Sequence, residues 1–173
     1  VYSVQQLAHL IKKPFSVAKV YSWRLARKGL AKRLLRGKIS FVDDDFVVAS
    51  QLVEPSYVSL SSALAFHNIV QQVPSSVECV CPRNSLKFEA LGIRYHKIPA
   101  SFFYGYRRHS KAGSYVFIAD AEKAVLDGLY LNYFPGSFFK EVRGSLDEKK
   151  LRGFLERFKG RGRKKLEKVV LHD

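Results

Sequence analysis

The chain opens with apolar residues at helical spacing. Ser3 stands where the N-cap of such a helix is expected, and a turn at 12–15 follows it. The apolar positions of this first helix lie three or four residues apart: Val4, Leu7, Leu10 and Ile11. The pattern therefore predicts a short amphipathic helix that ends before Pro14.

A second helix is predicted at roughly 17–28, with Ser16 after Pro14 as its N-cap. At 100° per residue its side chains divide into two faces. The core-facing side is Ala18, Tyr21, Ser22 and Leu25. The opposite side is Ser16, Lys19, Val20, Trp23, Arg24 and Arg27.

A glycine and a basic hairpin follow this second helix. Gly29 stands where a helix ends in a left-handed residue. Short strands are predicted at 30–35 and 39–42, with a tight turn at 36–38 between them. A helix followed directly by a basic hairpin is typical of the recognition helix and wing of a winged helix-turn-helix.

The remaining pattern mixes strands and helices after a boundary at Glu54-Pro55. Three aspartates, Asp43 to Asp45, precede an apolar segment and are expected to cap a helix there. Extended segments are predicted at 57–59, 77–81, 93–98, 102–106 and 115–118. Helices are predicted at 60–68, 121–133, 148–158 and 164–171, with Pro135-Gly136 ending the second of them and Asp147 capping the third.

These elements predict an α+β fold in two domains. Residues 1–45 would form the winged helix-turn-helix, and 55–173 a mixed α/β domain with a small sheet, several helices and a basic C-terminal helix. A winged helix usually has another helix before this pair. We therefore expect the native N-terminus to lie upstream of Val1, or the domain to be a trimmed version.

Composition adds a strong basic balance to this picture. The formal net charge is +15, and 47% of the residues are hydrophobic, enough for a real core. Residues 1–45 carry 10 basic and 3 acidic side chains, 46–139 carry 8 and 6, and 140–173 carry 12 and 6. Basic ends around a nearly neutral middle favour a polyanionic partner, most often nucleic acid.

The outer face of the second helix is the best candidate site. Val20 and Trp23 lie among basic residues, as on a helix in a DNA major groove, where cations reach phosphates or guanine and apolar groups meet thymine methyls. The alternative is a solvated face with Trp23 packed on a neighbouring domain. The hairpin adds cations suited to phosphates: Lys32, Arg33, Arg36 and Lys38.

Other side chains with reactive or ligating groups favour structural roles. Cys79 and Cys81 share one strand face and lack two further zinc ligands at a familiar spacing, which favours buried thiols. Lys123 and Asp127 form an i, i+4 pair that is structural by default. The sequence predicts no metal, no cofactor and no catalytic residue. No apolar run approaches the length of a membrane helix, so we expect no membrane partner. Two cysteines at i, i+2 spacing are too few for a disulfide scaffold, so we expect a cytoplasmic protein.

Two further basic stretches leave alternatives open. In 102–109, Arg107 and Arg108 follow aromatic residues that could stack on single-stranded nucleic acid, although a hairpin with a buried face is the more ordinary interpretation. The run 159–165 is either a second phosphate contact or a solvated tail. Its candidate contacts are Arg161, Arg163, Lys164 and Lys165.

Three segments together resemble the AbiEi-type family of antitoxins and transcriptional regulators of abortive infection, the type IV toxin–antitoxin systems. The first is Leu25 and Gly29-Leu30 with Arg36-Gly37. The others are YVSLSSALAFH at 57–67 and IADAEKAVLDGLY at 118–130. The resemblance covers most of the chain and implies an N-terminal winged helix.

The resemblance also implies a DNA-binding autorepressor whose second domain helps to neutralise a nucleotidyltransferase-like toxin. The expected partners are then double-stranded operator DNA and a cognate toxin, and the oligomeric state is left open. The alternatives are a stand-alone protein-interaction module and an RNA-binding module, neither with a toxin partner.

Overall fold

The computed structural model describes residues 1–72 and 74–171 as an α+β fold. Its β-strands are β1 (Tyr2–Ser3), β2 (Lys32–Leu35), β3 (Lys38–Ser40), β4 (Tyr57–Val58), β5 (Val77–Cys81), β6 (Leu86–Phe88), β7 (Ile93–Lys97), β8 (Tyr106–Lys111) and β9 (Ser114–Ala119). Its α-helices are α1 (Val4–Ile11), α2 (Phe15–Arg27), α3 (Asp45–Leu52), α4 (Leu60–Phe66), α5 (Ala121–Tyr130), α6 (Gly136–Val142), α7 (Glu148–Arg157) and α8 (Gly160–Val170).

The helix α1 begins as the sequence predicts. The Gln6 amide donates to the Ser3 hydroxyl at 3.1 Å, and the Gln6 side-chain oxygen accepts from the Ser3 amide at 2.7 Å. This reciprocal capping box satisfies two backbone donors of the first turn. Lys12 then ends the helix in a left-handed conformation. Of the four apolar residues at helical spacing, Val4 and Leu7 are buried, whereas Leu10 is 63% exposed.

A small three-stranded sheet follows α1 and α2. Its order is β1-β3-β2, all antiparallel, with Gly37 at φ +80° in the turn between β2 and β3. The Gly37 carbonyl accepts from the Val4 amide at 2.9 Å, so the hairpin turn is tied to the start of α1. A separate small core joins the two helices to this sheet: Val4, Leu7, Ala8, Ala18 and Ile39.

The helix α3 connects this small sheet to the rest of the chain. Asp44 caps it, as predicted, by accepting from the Val47 amide at 3.0 Å. Asp44 also pairs with Lys111 at 2.8 Å. Burial alone would raise the pKa of Asp44, but the hydrogen bonds from Lys111 and the Val47 amide outweigh it and lower the pKa.

Replacing Asp44 by alanine should lower the free energy of unfolding by about 1–2 kcal/mol at pH 7. Because the folded-state pKa is lowered, the Asp44 contribution is complete above the unfolded pKa, near 4, and is lost as the pH falls through the folded-state value. Urea unfolding of both proteins at pH 7 and pH 3 measures the effect.

Asp45→Ala is the matched control for this cap. Asp45 lies next in the chain, and its carboxylate makes no hydrogen bond or ion pair within 1–72 and 74–171. Its loss should cost only a few tenths of a kcal/mol from the helix dipole. Equal destabilisation by the two substitutions would contradict the capping role.

The second sheet has six strands rather than the few expected. Its order is β6-β7-β5-β4-β9-β8, with β4 parallel to β9 and β5 parallel to β7. All five residues of β5 are buried, as expected for a strand covered on both faces. Cys79 and Cys81 lie there as free, buried thiols, and burial raises the pKa of Cys79.

Three predictions in this second part of the chain were wrong. The segment 102–106 is not a strand; a 3-10 turn at Ala100–Phe102 precedes β8, which begins only at Tyr106. The helix α5 ends at Tyr130 rather than at 133. Pro135-Gly136 does not end α5. Pro135 is instead the N-cap residue of α6, a helix that the pattern did not predict.

The C-terminal helix also begins earlier than predicted, at Gly160 rather than 164. Gly162 therefore lies inside α8, where a Cβ atom would be 3.0–3.1 Å from the rings of Tyr130 and Phe102. The glycine permits this close approach and does not end the helix. The short strand β6 was not predicted either.

In the described part of the chain, no helix is both long enough and apolar enough to cross a membrane.

Candidate nucleic-acid interface

The candidate surface begins with α2, which starts one residue before the predicted N-cap. The first helical hydrogen bond runs from the Ala18 amide to the Pro14 carbonyl at 3.1 Å, and Pro14 is the N-cap residue. Ser16 is thus an exposed residue within the first turn, and its predicted capping role was wrong. The rigid φ of proline, rather than a serine hydroxyl, defines this helix start.

The predicted outer face of α2 is exposed and includes large apolar side chains. Ala18 and Ser22 are buried on the inner side, whereas Tyr21, predicted to be inside, is 46% exposed. On the outer face Trp23 remains 48% exposed and Val20 46% exposed. Large apolar side chains that are exposed beside cations are typical of binding surfaces.

Arg27 is held against this apolar group. Its guanidinium lies over the Trp23 ring, 5.1 Å from the ring centroid. The cation–π contact holds the guanidinium on the outer face of the helix, next to the exposed aromatic ring.

A groove of about 610 Å³ separates α2 from the β2–β3 hairpin. It brings together six of the ten predicted contact residues: Lys19, Val20, Trp23, Arg33, Arg36 and Lys38. The four others lie outside its lining: Ser16, Arg24, Arg27 and Lys32. Phe15, 52% exposed, also lines it and was not predicted as a contact residue.

Two predicted hairpin cations are already engaged within the protein. The Lys38 ammonium donates to the Leu52 carbonyl at 2.5 Å, at the C-terminal end of α3. Lys32 pairs with Asp43 at 2.7 Å, and this hydrogen bond raises the pKa of Lys32. Arg33 and Arg36 are therefore the hairpin cations best placed for an external anion.

The electrostatic field around this surface is strongly one-sided. Residues 1–42 contain 10 basic side chains and no acidic ones. Over the described residues, no carboxylate lies within 4 Å of the cations of this surface. These cations are Lys19, Arg24, Arg27, Arg33 and Arg36. An unneutralised cluster of this kind attracts polyanions.

Four of the six predicted secondary contact residues already interact with other groups of the protein. Arg107 pairs with Asp120 at 3.2 Å, and Arg108 lies over the Tyr115 ring at 4.7 Å. On α8, Arg163 pairs with Glu167 at 2.6 Å. Lys165 donates to the Tyr130 carbonyl and to Asn132, each at 2.7 Å, and burial lowers its pKa.

Burial excludes base stacking on two of the four aromatic residues of 102–106. Phe102 and Tyr104 are 5% and 7% exposed, and both rings contact Phe158. Tyr106 stacks on Tyr57 at 4.6 Å between ring centroids. Phe102 and Tyr104 therefore cannot stack on a base, whereas Phe103 and Tyr106 are half-buried and pack against each other and Tyr57.

A buried polar network joins the segments 57–67 and 118–130. The sequence predicted only the ion pair within it. The predicted ion pair between Lys123 and Asp127 forms and is fully buried. Asp127 also accepts from the Tyr57 hydroxyl at 3.0 Å and the Ser59 hydroxyl at 2.9 Å. The bond between Lys123 and Tyr57 closes the network at 3.0 Å. Tyr57 and Ser59 lie about 70 positions from Asp127, so only the fold reveals the contact.

Burial dominates the protonation of this network. It lowers the pKa of Lys123 and raises that of Asp127, while each charge partly offsets the shift of the other. Burial also raises the pKa of the Tyr57 hydroxyl, which stays a donor at ordinary pH. With Lys123 and Asp127 both fully covered, the network anchors α5 to β4 and offers a substrate no access.

Across residues 1–72 and 74–171, no three histidine, cysteine or acidic side chains are placed to hold a metal ion. No protein-family model and no curated protein sequence matches the chain. The resemblance to AbiEi-type antitoxins stays a prediction that rests on the motifs quoted above.

Proposed function

We propose that this protein is a DNA-binding transcriptional regulator whose N-terminal part acts as a winged helix-turn-helix. The observation that carries the proposal is the groove between α2 and the β2–β3 hairpin. An exposed helix face with apolar and basic side chains lies beside a basic hairpin, and within the described residues Lys19, Arg24, Arg27, Arg33 and Arg36 have no carboxylate within 4 Å. In this arrangement α2 enters the major groove and the hairpin lies along the phosphate backbone.

The contacts divide by chemistry. Arg24 and Arg27 on α2, with Arg33 and Arg36 on the hairpin, supply phosphate or guanine contacts. Val20 and Trp23 supply the apolar contacts. Lys38 instead positions the hairpin, since its ammonium is bonded to the end of α3.

The proposal extends to autorepression and to an antitoxin-like role of the second part. This extension rests on the motif resemblance, and it assigns the chain no reaction of its own. The segments 57–67 and 118–130 meet at the buried network of Tyr57, Ser59, Lys123 and Asp127. Their role in this proposal is therefore to support the fold of the second part rather than to form a catalytic site. Co-purification with the product of a neighbouring gene would support a toxin partner, and a locus without a toxin gene would oppose it.

The double variant Arg24→Gln/Arg27→Gln should weaken binding to DNA from the upstream region of the protein's own gene. If both guanidiniums lie on phosphates, the slope of log affinity against log salt should fall by about two. Mobility shift and fluorescence titration over several salt concentrations measure the effect. Trp23 is the only tryptophan, so its emission reports this surface alone.

The control is Arg83→Gln/Lys97→Gln, which removes the same charge from exposed residues near the β6–β7 edge. It should leave the salt slope almost unchanged. A wild-type mobility shift for Arg24→Gln/Arg27→Gln would refute the assignment of α2 to DNA.

A further inference from the structure

Most cations near the C-terminus are engaged within the protein, and this isolates a small free group on α8. Arg143 pairs with Glu148 at 3.1 Å, and Lys150 pairs with Asp120 at 3.1 Å. The Arg157 guanidinium lies over the Tyr104 ring at 3.8 Å. These cations contribute to the fold and are poorly placed for an external partner.

Three cations on α8 are different. Arg161, Lys164 and Lys168 are exposed, and within the described residues none lies within 4 Å of a carboxylate. At 100° per residue they fall within about 60° of one another. We call these three residues the α8 stripe.

The packing of α8 turns the stripe away from the core. Leu166 and Val170 are buried on the opposite side, and Gly162 lies close to the rings of Phe102 and Tyr130. Lys165 is bonded to the Tyr130 carbonyl. The helix is therefore fixed by its inner face, and its orientation leaves the stripe in solvent.

We infer that the α8 stripe is a second, sequence-independent binding surface for the phosphate backbone of duplex DNA. The inference deepens the proposed function, because it extends the footprint on DNA beyond α2 and the hairpin. Seven residues of helix span about 10 Å, and phosphates on one strand rise about 3.4 Å per base pair. The three cations are therefore spread over a length of about three base-pair steps, so each can contact a different phosphate of one strand.

The chemistry of the stripe favours DNA over an acidic protein. Protein interfaces have an apolar or aromatic centre that is shielded from water by a polar rim. Around the stripe, α8 contains no aromatic residue, and among the described residues the one large apolar side chain exposed beside it is Leu171 at the C-terminal end. Cations without an aromatic or apolar centre are typical of a phosphate contact.

The test is the triple variant Arg161→Gln/Lys164→Gln/Lys168→Gln, titrated with a 24-base-pair duplex of random sequence and with DNA from the upstream region of the gene. If all three cations lie on phosphates, the salt slope should fall by about two to three on both duplexes. Affinity for the two duplexes should fall by the same factor, so the ratio between them is preserved.

Two matched variants control for net charge and folding. Arg83→Gln/Lys87→Gln/Lys97→Gln removes the same charge near the β6–β7 edge and should keep the wild-type slope. Arg161→Lys/Lys164→Arg/Lys168→Arg keeps the charge of the stripe and should also keep the slope. Circular dichroism and urea unfolding establish that each variant is folded.

The outcomes separate this inference from the proposed function. If the stripe variant has the same salt slope as the charge-matched control, the inference is overturned, and an acidic protein becomes the candidate partner of α8. If Arg24→Gln/Arg27→Gln has no effect while the stripe variant loses slope, the proposed function fails and the second surface stands. If only Arg24→Gln/Arg27→Gln weakens binding, the proposed function stands and the inference about the α8 stripe fails.

Discussion

Replacing Asp127 by asparagine should lower the free energy of unfolding by about 3–5 kcal/mol, because it leaves the buried Lys123 ammonium without its counter-charge. The substitution preserves the shape of the side chain and an oxygen acceptor for Tyr57 and Ser59. The loss therefore reports the charge rather than a cavity. Urea unfolding at pH 7 measures it, and such a loss is a large share of the stability of an ordinary domain.

The pH dependence of this variant has a definite sign. The Asp127 charge raises the pKa of Lys123, so its removal should lower that pKa further than burial already does. Between the lowered pKa of the variant and that of the wild type, only the wild-type folded state keeps the proton. The difference in stability should shrink as the pH rises through this window, by at most about 1.4 kcal/mol per unit.

The control is the double variant Lys123→Met/Asp127→Asn. It removes both charges and leaves an apolar chain of similar length near the rings of Tyr104 and Phe158. The double variant should recover much of the loss, since a buried ion pair gives little net stability over an apolar replacement. A loss below about 1 kcal/mol for Asp127→Asn alone would show that the pair is uncharged in the folded protein.

Local signals in the sequence predicted the helix starts that depend on side-chain caps. Ser3, Asp44 and Asp147 each accept a backbone hydrogen bond where the pattern indicated. Gly29 ends α2 with φ +69°, as a left-handed residue after the helix should. In these features the interacting residues lie only three or four positions apart. Both partners can therefore be identified from the local sequence.

Features that depend on distant contacts were not predictable in the same way. The aromatic run 102–106 has the composition of a strand, but contacts with Phe158 hold its first residues in a 3-10 turn. Glycine is common in loops, yet Gly162 lies inside α8, because the rings of Tyr130 and Phe102 leave little room for a Cβ atom there. In both cases tertiary packing overrides local propensity.

The candidate surface shows the same division. The helical period alone separated the buried Ala18 from the exposed Trp23. It could not show that Lys38 is bonded to the carbonyl of Leu52, fourteen positions away, or that Lys32 is neutralised by Asp43. Periodicity distinguished Ala18 from Trp23 but placed the exposed Tyr21 on the inner face, and the free or engaged state of each cation depends on the fold.

Gly128→Ala should destabilise the protein by about 1–3 kcal/mol, although alanine is the better helix former. Gly128 lies in α5, where a Cβ atom would stand 2.0 Å from Cδ2 and 2.4 Å from Cε2 of Phe134. The ring has little freedom to move, since it stacks on Phe138 with 4.1 Å between centroids. Thermal and urea unfolding measure the loss.

Gly153→Ala is the matched control, with the opposite expected sign. Gly153 lies inside α7, and nothing described in the structure comes within 4 Å of the position of its Cβ atom. With no clash to offset it, the gain in helix propensity should raise the free energy of unfolding by about 0.5–1 kcal/mol. Opposite signs for one substitution in two helices would separate steric exclusion by Phe134 from backbone entropy. A stabilising Gly128→Ala would show that the ring moves aside and that α5 tolerates a side chain at this position.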